Sequence, residues 1–113
     1  MSTRAFKILT AAQWASFAAE NLFDGSPDDR ADGFIHLSTA DQVDGTIAKH
    51  FSGHSNLVIA EIELARLGDM VRWEPSRGGQ LFPHIYGVLT MDAVVGTQAV
   101  RTDLVRSAAS PQA

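Results

Sequence analysis

The sequence predicts a single α+β domain in which β-strands outnumber helices. More stretches of the chain show the patterns of strands than of helices, and both helix-start signals lie in its first half. With 113 residues, the chain is long enough for one hydrophobic core and too short for two. Helices that are segregated from the strands in this way favour an α+β arrangement over an alternating, parallel one.

The chain is predicted to open with a strand and a helix. Residues 4–9 alternate, with Phe6 and Ile8 on one side, which is typical of a short strand. Thr10 and Gln13 then have the spacing of a capping box, so a helix should begin there. The apolar stripe expected on this helix comprises Trp14, Phe17, Ala18 and Leu22. We interpret these side chains as core rather than as a binding site.

Residues 24–32, D-G-S-P-D-D-R-A-D, are rich in turn formers and are predicted to form a surface loop. Four aspartates in so short a stretch raise the question of calcium binding. Their spacing is not that of an EF-hand loop, and no glutamate closes the segment. A solvated acidic loop is therefore the favoured interpretation.

The run 32–39, D-G-F-I-H-L-S-T, carries more information than any other stretch of the chain. As a strand, it places a phenylalanine, His36 and Ser38 on one face and two aliphatic residues on the other. Thr39 and Gln42 repeat the capping-box spacing, so a second helix should follow and run to about Ser52. Its expected inner stripe comprises Val43, Ile47, His50 and Phe51.

His50 and His54 lie four residues apart, as metal ligands on one helix face often do. Gly53 lies between them and should end the helix. The spacing provides no third ligand nearby. We therefore predict no metal site.

The second half of the chain is predicted to consist mainly of strands. Residues 56–64 are aliphatic and β-branched, as in a central strand, and residues 70–74 alternate. A glycine-rich loop at 75–79 has neither the G-x-x-x-x-G-K-S/T nor the G-x-G-x-x-G frame of nucleotide-binding loops. Residues 81–87, L-F-P-H-I-Y-G, again place a histidine beside a hydroxyl on one face, and Pro83 predicts a sheet edge or an irregularity near the cleft. Strands at 88–90 and 94–102 complete the β content.

The two histidine-bearing faces suggest one cleft that binds a small anion. Histidine can move protons near neutral pH, and the arginine fork suits carboxylate or phosphate. The candidate catalytic residues are His36 and His84. The candidate ligand-binding residues are His36, Ser38, Thr39, Arg72, Glu74, Arg77, His84 and Tyr86. The competing interpretation is a buried polar network with an exposed Arg72–Glu74 ion pair, and the residues leave this choice open.

Composition excludes several classes of protein. A formal net charge of −4 argues against non-specific binding to nucleic acid. The absence of cysteine excludes disulfides and thiolate nucleophiles. Without an apolar signal segment or a membrane span, a cytoplasmic location is expected. Residues 1–105 should form the domain and residues 106–113 a disordered tail. The oligomeric state is not predicted.

The chain resembles the bacterial family known as domain of unknown function 952. The matching residues are G-F-I-H-L-S-T at 33–39, Gln42-Val43, Phe51, Gly53, L-G-D at 67–69, R-W-E at 72–74, S-R-G-G at 76–79 and L-F-P-H-I-Y-G at 81–87, where Ile85 stands in place of the family's leucine. That family in turn is similar to a reduced ADP-ribosyltransferase fold. This resemblance implies a bent, split and mostly antiparallel sheet.

The I-H-L-S segment also resembles a strand of the RNA 2′-phosphotransferases. Those enzymes carry an arginine four residues before the histidine, where this chain has Asp32. The wider resemblance implies NAD or a related nucleotide as ligand, and no cofactor is predicted from the residues themselves.

Two functional hypotheses follow. The first is a pocket for a small anionic ligand, such as a nucleotide or an ADP-ribose-like molecule, in a protein that acts as a transferase or only binds. The alternative is a non-catalytic structural or interaction module whose histidines and arginines form an internal polar network. Whether the protein is an enzyme is left open by the sequence.

Overall fold

Three antiparallel sheets surround one apolar core in the computed structural model, which describes residues 3–101. The strands are β1 (Arg4–Thr10), β2 (Leu22–Phe23), β3 (Ile35–His36), β4 (Asn56–Glu63), β5 (Val71–Pro75), β6 (Leu81–Ile85), β7 (Leu89–Thr90) and β8 (Val94–Arg101). The α-helices are α1 (Ala11–Glu20), α2 (Pro27–Asp32) and α3 (Val43–His50). The α+β class is confirmed. The predicted tail at 106–113 lies outside the described residues.

The sheets have the strand orders β1-β4-β8, β3-β6-β5 and β2-β7. The first two sheets meet where the Phe6 and Ser38 backbones exchange N–H···O bonds of 2.8 and 2.9 Å. This bridge connects β1 to Ser38, which lies two residues after the end of β3. The strand predicted at 56–64 is confirmed as β4, which lies at the centre of its sheet.

The capping box at Thr10 begins α1 as predicted. The Gln13 N–H donates to Thr10 Oγ1 at 3.1 Å, and the Thr10 N–H donates to Gln13 Oε1 at 2.9 Å. Phe17 is fully buried, and Trp14 packs against the core. The helix ends at Glu20, before Asn21 in the left-handed conformation, so Leu22 falls in β2 and is 44% exposed. The inclusion of Leu22 in the helical stripe was wrong.

Most of the acidic segment at 24–32 is helical and not the predicted loop, because residues 27–32 form α2. Ser26 accepts a hydrogen bond from the Asp29 N–H at 3.1 Å, Pro27 occupies the first helical turn, and Asp29 accepts from the Ser26 N–H at 2.9 Å. This is a capping box with aspartate in place of glutamate, and proline suits the first turn because it lacks an N–H. Residues 3–50 therefore contain three α-helices, not two.

The helix predicted after Thr39 is also present. A 3₁₀ turn at Ala40–Gln42 leads into α3, and the Gln42 side chain accepts from the Thr39 N–H at 3.0 Å. The helix ends at His50, two residues short of the prediction. None of its residues is fully buried, so the expected inner stripe is only half-covered, and His50 is exposed.

Pro83 lies in a central strand, so the prediction of a sheet edge was wrong, whereas that of an irregularity was correct. The Pro83 carbonyl accepts from the Leu37 N–H at 3.0 Å. Proline has no backbone N–H, so Pro83 cannot donate the second hydrogen bond that a regular Leu37–Pro83 pair would form. The ladder between β3 and β6 therefore stops after the His36–His84 pair, and β3 contains only two residues.

The core lies between the sheets and α1. It comprises Ala5, Leu9, Phe17, Phe23, Ile35, Leu37, Ala60, Ile62, Leu64, Leu67, Ile85, Leu89 and Ala93. Ile35 and Leu37 belong to it, as expected for the apolar face of the 32–39 run. Within residues 3–101, no helix is long and apolar enough to cross a membrane.

Replacing the α1 cap should weaken the fold modestly. Thr10→Ala removes the hydroxyl that accepts from Gln13, and we expect a loss of about 1 kcal/mol in the free energy of unfolding. Urea denaturation followed by circular dichroism measures this loss. Ser16→Ala, on the exposed side of the same helix, is the control and should change stability by less than about 0.5 kcal/mol. Equal effects of the two changes would contradict a capping role.

Candidate functional site

A cleft of about 460 Å³ opens between α2, α3 and the strands that carry the two histidines. Most of the residues that line it are polar or charged. They are Lys7, Ser26, Asp28, Asp29, Asp32, His36, Ser38, Thr46, Lys49, His50, Ser76, Arg77 and His84. Ile8, Ala31, Leu37, Phe51 and Phe82 supply the apolar part.

The two histidines predicted from the sequence to line a cleft are neighbours in it. His36 and His84 are register partners on β3 and β6, and their ring centroids lie 5.4 Å apart. Phe34 stacks on the His84 ring, with centroids 4.0 Å apart and planes inclined by 22°. Phe34 and His36 thus both pack against the His84 ring.

A buried carboxylate, Asp29, holds three elements together beside the cleft. Its Oδ2 accepts from the Lys7 ammonium at 2.8 Å, and its Oδ1 lies 2.6 Å from His36 Nδ1. The His36 backbone N–H also donates to Oδ1, at 3.1 Å. Together with the Ser26 cap, these bonds connect α2 to β1 and β3.

Burial and pairing act in opposite directions on the charges of this cluster. Burial alone would raise the pKa of Asp29, but the hydrogen bond from His36 and the ammonium of Lys7 outweigh it and hold that pKa well below its usual range. Burial lowers the pKa of Lys7, and Asp29 partly offsets this effect. The pair therefore depends on close contact, because each buried charge is costly without the other.

Both ring nitrogens of His36 are engaged. Nδ1 faces Asp29, and Nε2 lies 2.9 Å from Asp32 Oδ2, at the end of α2. Carboxylate oxygens only accept hydrogen bonds, so the two contacts are both satisfied when each nitrogen carries a proton. His36 thus has no ring nitrogen left for a ligand in this arrangement.

His84 has a different environment. Its Nδ1 lies 2.7 Å from Glu74 Oε1, and the same oxygen accepts from the Tyr86 hydroxyl at 2.8 Å. The hydrogen bonds from His84 and then Tyr86 lower the pKa of Glu74, and the Glu74 carboxylate raises the pKa of Tyr86. His84 Nε2 is buried and has no hydrogen-bond partner among residues 3–101.

Arg77 lies across the opposite wall of the cleft, against α3. Its Nη1 donates to Thr46 Oγ1 at 3.2 Å, and its Nη2 lies 3.5 Å from the Gln42 carbonyl oxygen. The guanidinium also stacks 5.0 Å from the Phe82 ring centroid. Gly45 permits this approach, since a Cβ there would lie 3.0 Å from Nη2.

The structure brings together four of the eight residues nominated from the sequence. His36, Ser38, Arg77 and His84 line the cleft, and Ser38 Oγ lies 2.9 Å from Thr46 Oγ1. The other four do not line it: Thr39, Arg72, Glu74 and Tyr86. Glu74 bonds to the His84 ring, and Tyr86 donates to Glu74. Arg72 is exposed and stacks 4.6 Å from the Tyr86 ring centroid.

Sequence reasoning missed Lys7, Asp29, Thr46 and Lys49. For Asp29 a signal was present, because Ser26-Pro27-Asp28-Asp29 has the spacing of a capping box. No such signal marks Lys7, because a lysine in an alternating strand is ordinarily exposed. Within the described part of the chain, no group of three or more potential ligands is arranged to hold a metal ion.

Comparison with known proteins identifies relatives without an assigned activity. The family model described as "Protein of unknown function (DUF952)" matches residues 8–97. The crystal structure of protein CC0527 from Caulobacter crescentus is 40% identical over 94% of this chain and 99% of that chain, with a TM-score of 0.83. The solution NMR structure of CC0527 is 44% identical over 86% of this chain and 84% of that one, with a TM-score of 0.75. No curated protein shows a significant match.

The Asp29 cluster should be a major determinant of stability. Asp29→Asn leaves the Lys7 ammonium buried without a countercharge, and we expect a loss of about 3 to 5 kcal/mol at neutral pH. Because the folded-state pKa of Asp29 lies below the ordinary value of 3.8, its contribution is complete above that pH and is lost as the pH falls below it. Urea denaturation at pH 7 and pH 3 should therefore show a smaller difference between wild type and variant at the lower pH.

The matched control is Asp28→Asn, which removes the same charge from the exposed neighbouring residue of α2. It should change stability by less than about 0.5 kcal/mol. If Asp28→Asn and Asp29→Asn were equally destabilising, the cluster would not have the structural role assigned to it.

Proposed function

The chain belongs to the DUF952 family of proteins of unknown function, and we propose that it binds a small anionic ligand in the cleft between α2 and α3. A nucleotide or an ADP-ribose-like molecule is the leading candidate. The observation that best supports this proposal is the set of contacts around Arg77. Its guanidinium is held in the cleft by neutral groups, and no carboxylate among residues 3–101 forms an ion pair with it.

An arginine of this kind is suited to an anion. The guanidinium has five N–H donors in a planar fork, and the contacts to Thr46 and Gln42 use two of its nitrogens. The remaining donors can reach a phosphate or carboxylate without first breaking an ion pair. Stacking on Phe82 keeps the guanidinium in place, which lowers the entropic cost of binding.

The charges of the two walls are opposite. Lys49 and Arg77 line the side formed by α3 and the 75–79 loop, whereas Asp28 and Asp32 line the side formed by α2. A bound anion is therefore favoured at the α3 wall and repelled at the α2 wall. The carboxylates of α2 can instead accept hydrogen bonds from hydroxyl groups. This asymmetry supports a ligand with one anionic end and one neutral polar end.

The size of the cleft and the family resemblance guide the choice of probes. A volume of about 460 Å³ falls within the range of ordinary small-molecule pockets. The split sheet and the I-H-L-S strand support a relation to ADP-ribosyltransferases, in which this kind of cleft holds NAD. NAD and ADP-ribose are therefore the first molecules to test.

Titration with NAD and ADP-ribose should perturb the amide resonances of residues 42–49 and 76–84 in ¹⁵N-labelled protein. Arg77→Gln should weaken binding about 10- to 100-fold, because a charge-assisted hydrogen bond is lost. Arg72→Gln is the matched control: it removes the same charge from an arginine outside the cleft and should leave the affinity unchanged. The proposal is refuted if the amide shifts fall outside residues 42–49 and 76–84, or if millimolar ligand causes no shift.

Gly45→Ala tests the position of Arg77 without removing its charge. The added Cβ would lie 3.0 Å from Nη2, so the guanidinium must move away from α3. We expect weaker binding, together with unchanged or higher stability, because alanine is the better helix former by about 1 kcal/mol. Gly53→Ala is the control, since a Cβ there meets nothing within 4 Å. Equal affinity in the two variants would show that the position of Arg77 is unimportant for the ligand.

A further inference from the structure

One buried nitrogen in the cleft is left without a hydrogen-bond partner. His84 Nε2 is closed off from solvent, and no group among residues 3–101 bonds to it. Buried polar atoms in folded proteins are nearly always paired, and leaving one unpaired costs about 1 to 3 kcal/mol. Such an atom in a cleft therefore indicates a group that is supplied from outside residues 3–101.

The other side of the His84 ring determines what that group must be. Glu74 is a carboxylate whose pKa is lowered, so it only accepts hydrogen bonds, and the contact at 2.7 Å requires the proton on Nδ1. In the neutral ring, Nε2 then carries a lone pair and accepts. Tyr86, which donates to the same carboxylate, helps to keep Glu74 in place for this tautomer.

The ring presents this lone pair towards the cleft. The two nitrogens of an imidazole point to nearly opposite sides of the ring, and Nδ1 points to Glu74 on β5. In the sheet, β6 lies between β5 and β3, so Nε2 points towards β3 and the cleft that His84 lines. Only 4% of the His84 side chain is exposed, and Nε2 itself is closed to water. A donor must therefore be as small as a hydroxyl group, and the side chains around the ring edge must shift slightly to admit it.

We infer that the anion bound at Arg77 also carries a hydroxyl group that donates a hydrogen bond to His84 Nε2. The inference rests on the proposed function and narrows the ligand to a hydroxylated phosphate, such as the sugar-phosphate part of a nucleotide. The anionic group binds at the α3 wall, and the hydroxyl lies on the side of the histidines. His84 is the residue that recognises the hydroxyl, while Glu74 is a positioning residue that sets its tautomer.

The test compares ribose 5-phosphate with inorganic phosphate on the full chain labelled with ¹⁵N-histidine. In the free protein, the ring spectrum of His84 should show a protonated Nδ1 and an unprotonated Nε2. Ribose 5-phosphate should shift the Nε2 resonance towards its hydrogen-bonded position. Inorganic phosphate, at a concentration that shifts the Arg77 amide equally, should leave it unmoved. The ring nitrogens of His36, both engaged by carboxylates, are an internal control.

The possible failures are distinguishable. If both ligands shift the Arg77 amide but neither moves Nε2, the hydroxyl inference is wrong and anion binding still holds. The inference is also wrong if Nε2 carries the proton in the free protein, or if the two ligands move it equally. If neither ligand perturbs the cleft at all, both the inference and the proposed function fail.

Variants at His84 give a second readout. Asparagine can keep a polar group near the position of Nδ1 but has none near Nε2, whereas glutamine can place one near Nε2. We expect His84→Asn to weaken the binding of ribose 5-phosphate about 10-fold, because one hydrogen bond is lost. The affinity for inorganic phosphate should not change. His84→Gln should recover part of the loss. Equal losses for both ligands would overturn the inference, and the ¹⁵N measurement on the wild type decides it if a variant does not fold.

Discussion

The buried pair of Lys7 and Asp29 is the interaction on which this part of the molecule depends. Two charges removed from water must contact each other closely, because neither is tolerated alone in the interior. Asp29 meets this need with the ammonium on one oxygen and His36 on the other, while Ser26 caps the helix from which it projects. Strand β1, helix α2 and strand β3 are thereby held in one arrangement, and that arrangement forms a wall of the cleft.

The same constraint explains why two adjacent histidines have different roles. His36 lies between Asp29 and Asp32, so its hydrogen-bonding capacity is used within the protein. His84, 5.4 Å away, has one carboxylate partner and one buried nitrogen without a partner among the described residues. The two histidines therefore differ in the hydrogen-bonding capacity that they leave unused. His36 is bonded within the protein through both ring nitrogens, whereas the proposed ligand would bind at His84.

The other wall is organised around an arginine rather than a carboxylate. Gly45 on α3 leaves room for the Arg77 guanidinium, and Phe82, Thr46 and the Gln42 carbonyl hold it without neutralising its charge. A cation fixed by neutral partners keeps its attraction for an anion, whereas one in an ion pair does not. The positive charge of this wall therefore results from local packing, although the chain as a whole carries a net charge of −4.

What the sequence by itself determined was local. The capping boxes at Thr10 and Thr39, the alternation around His36 and His84, and the apolar run of β4 all depend on neighbouring residues, and these predictions agree with the structure. Only the tertiary structure decided that Lys7 is buried, that Asp29 pairs with it across 22 residues, and that Arg77 rather than Arg72 lines the cleft. The physical reason is that burial and charge pairing are set by which distant segments meet. A residue's own neighbours in the chain show its face of a strand or helix but not what lies opposite that face.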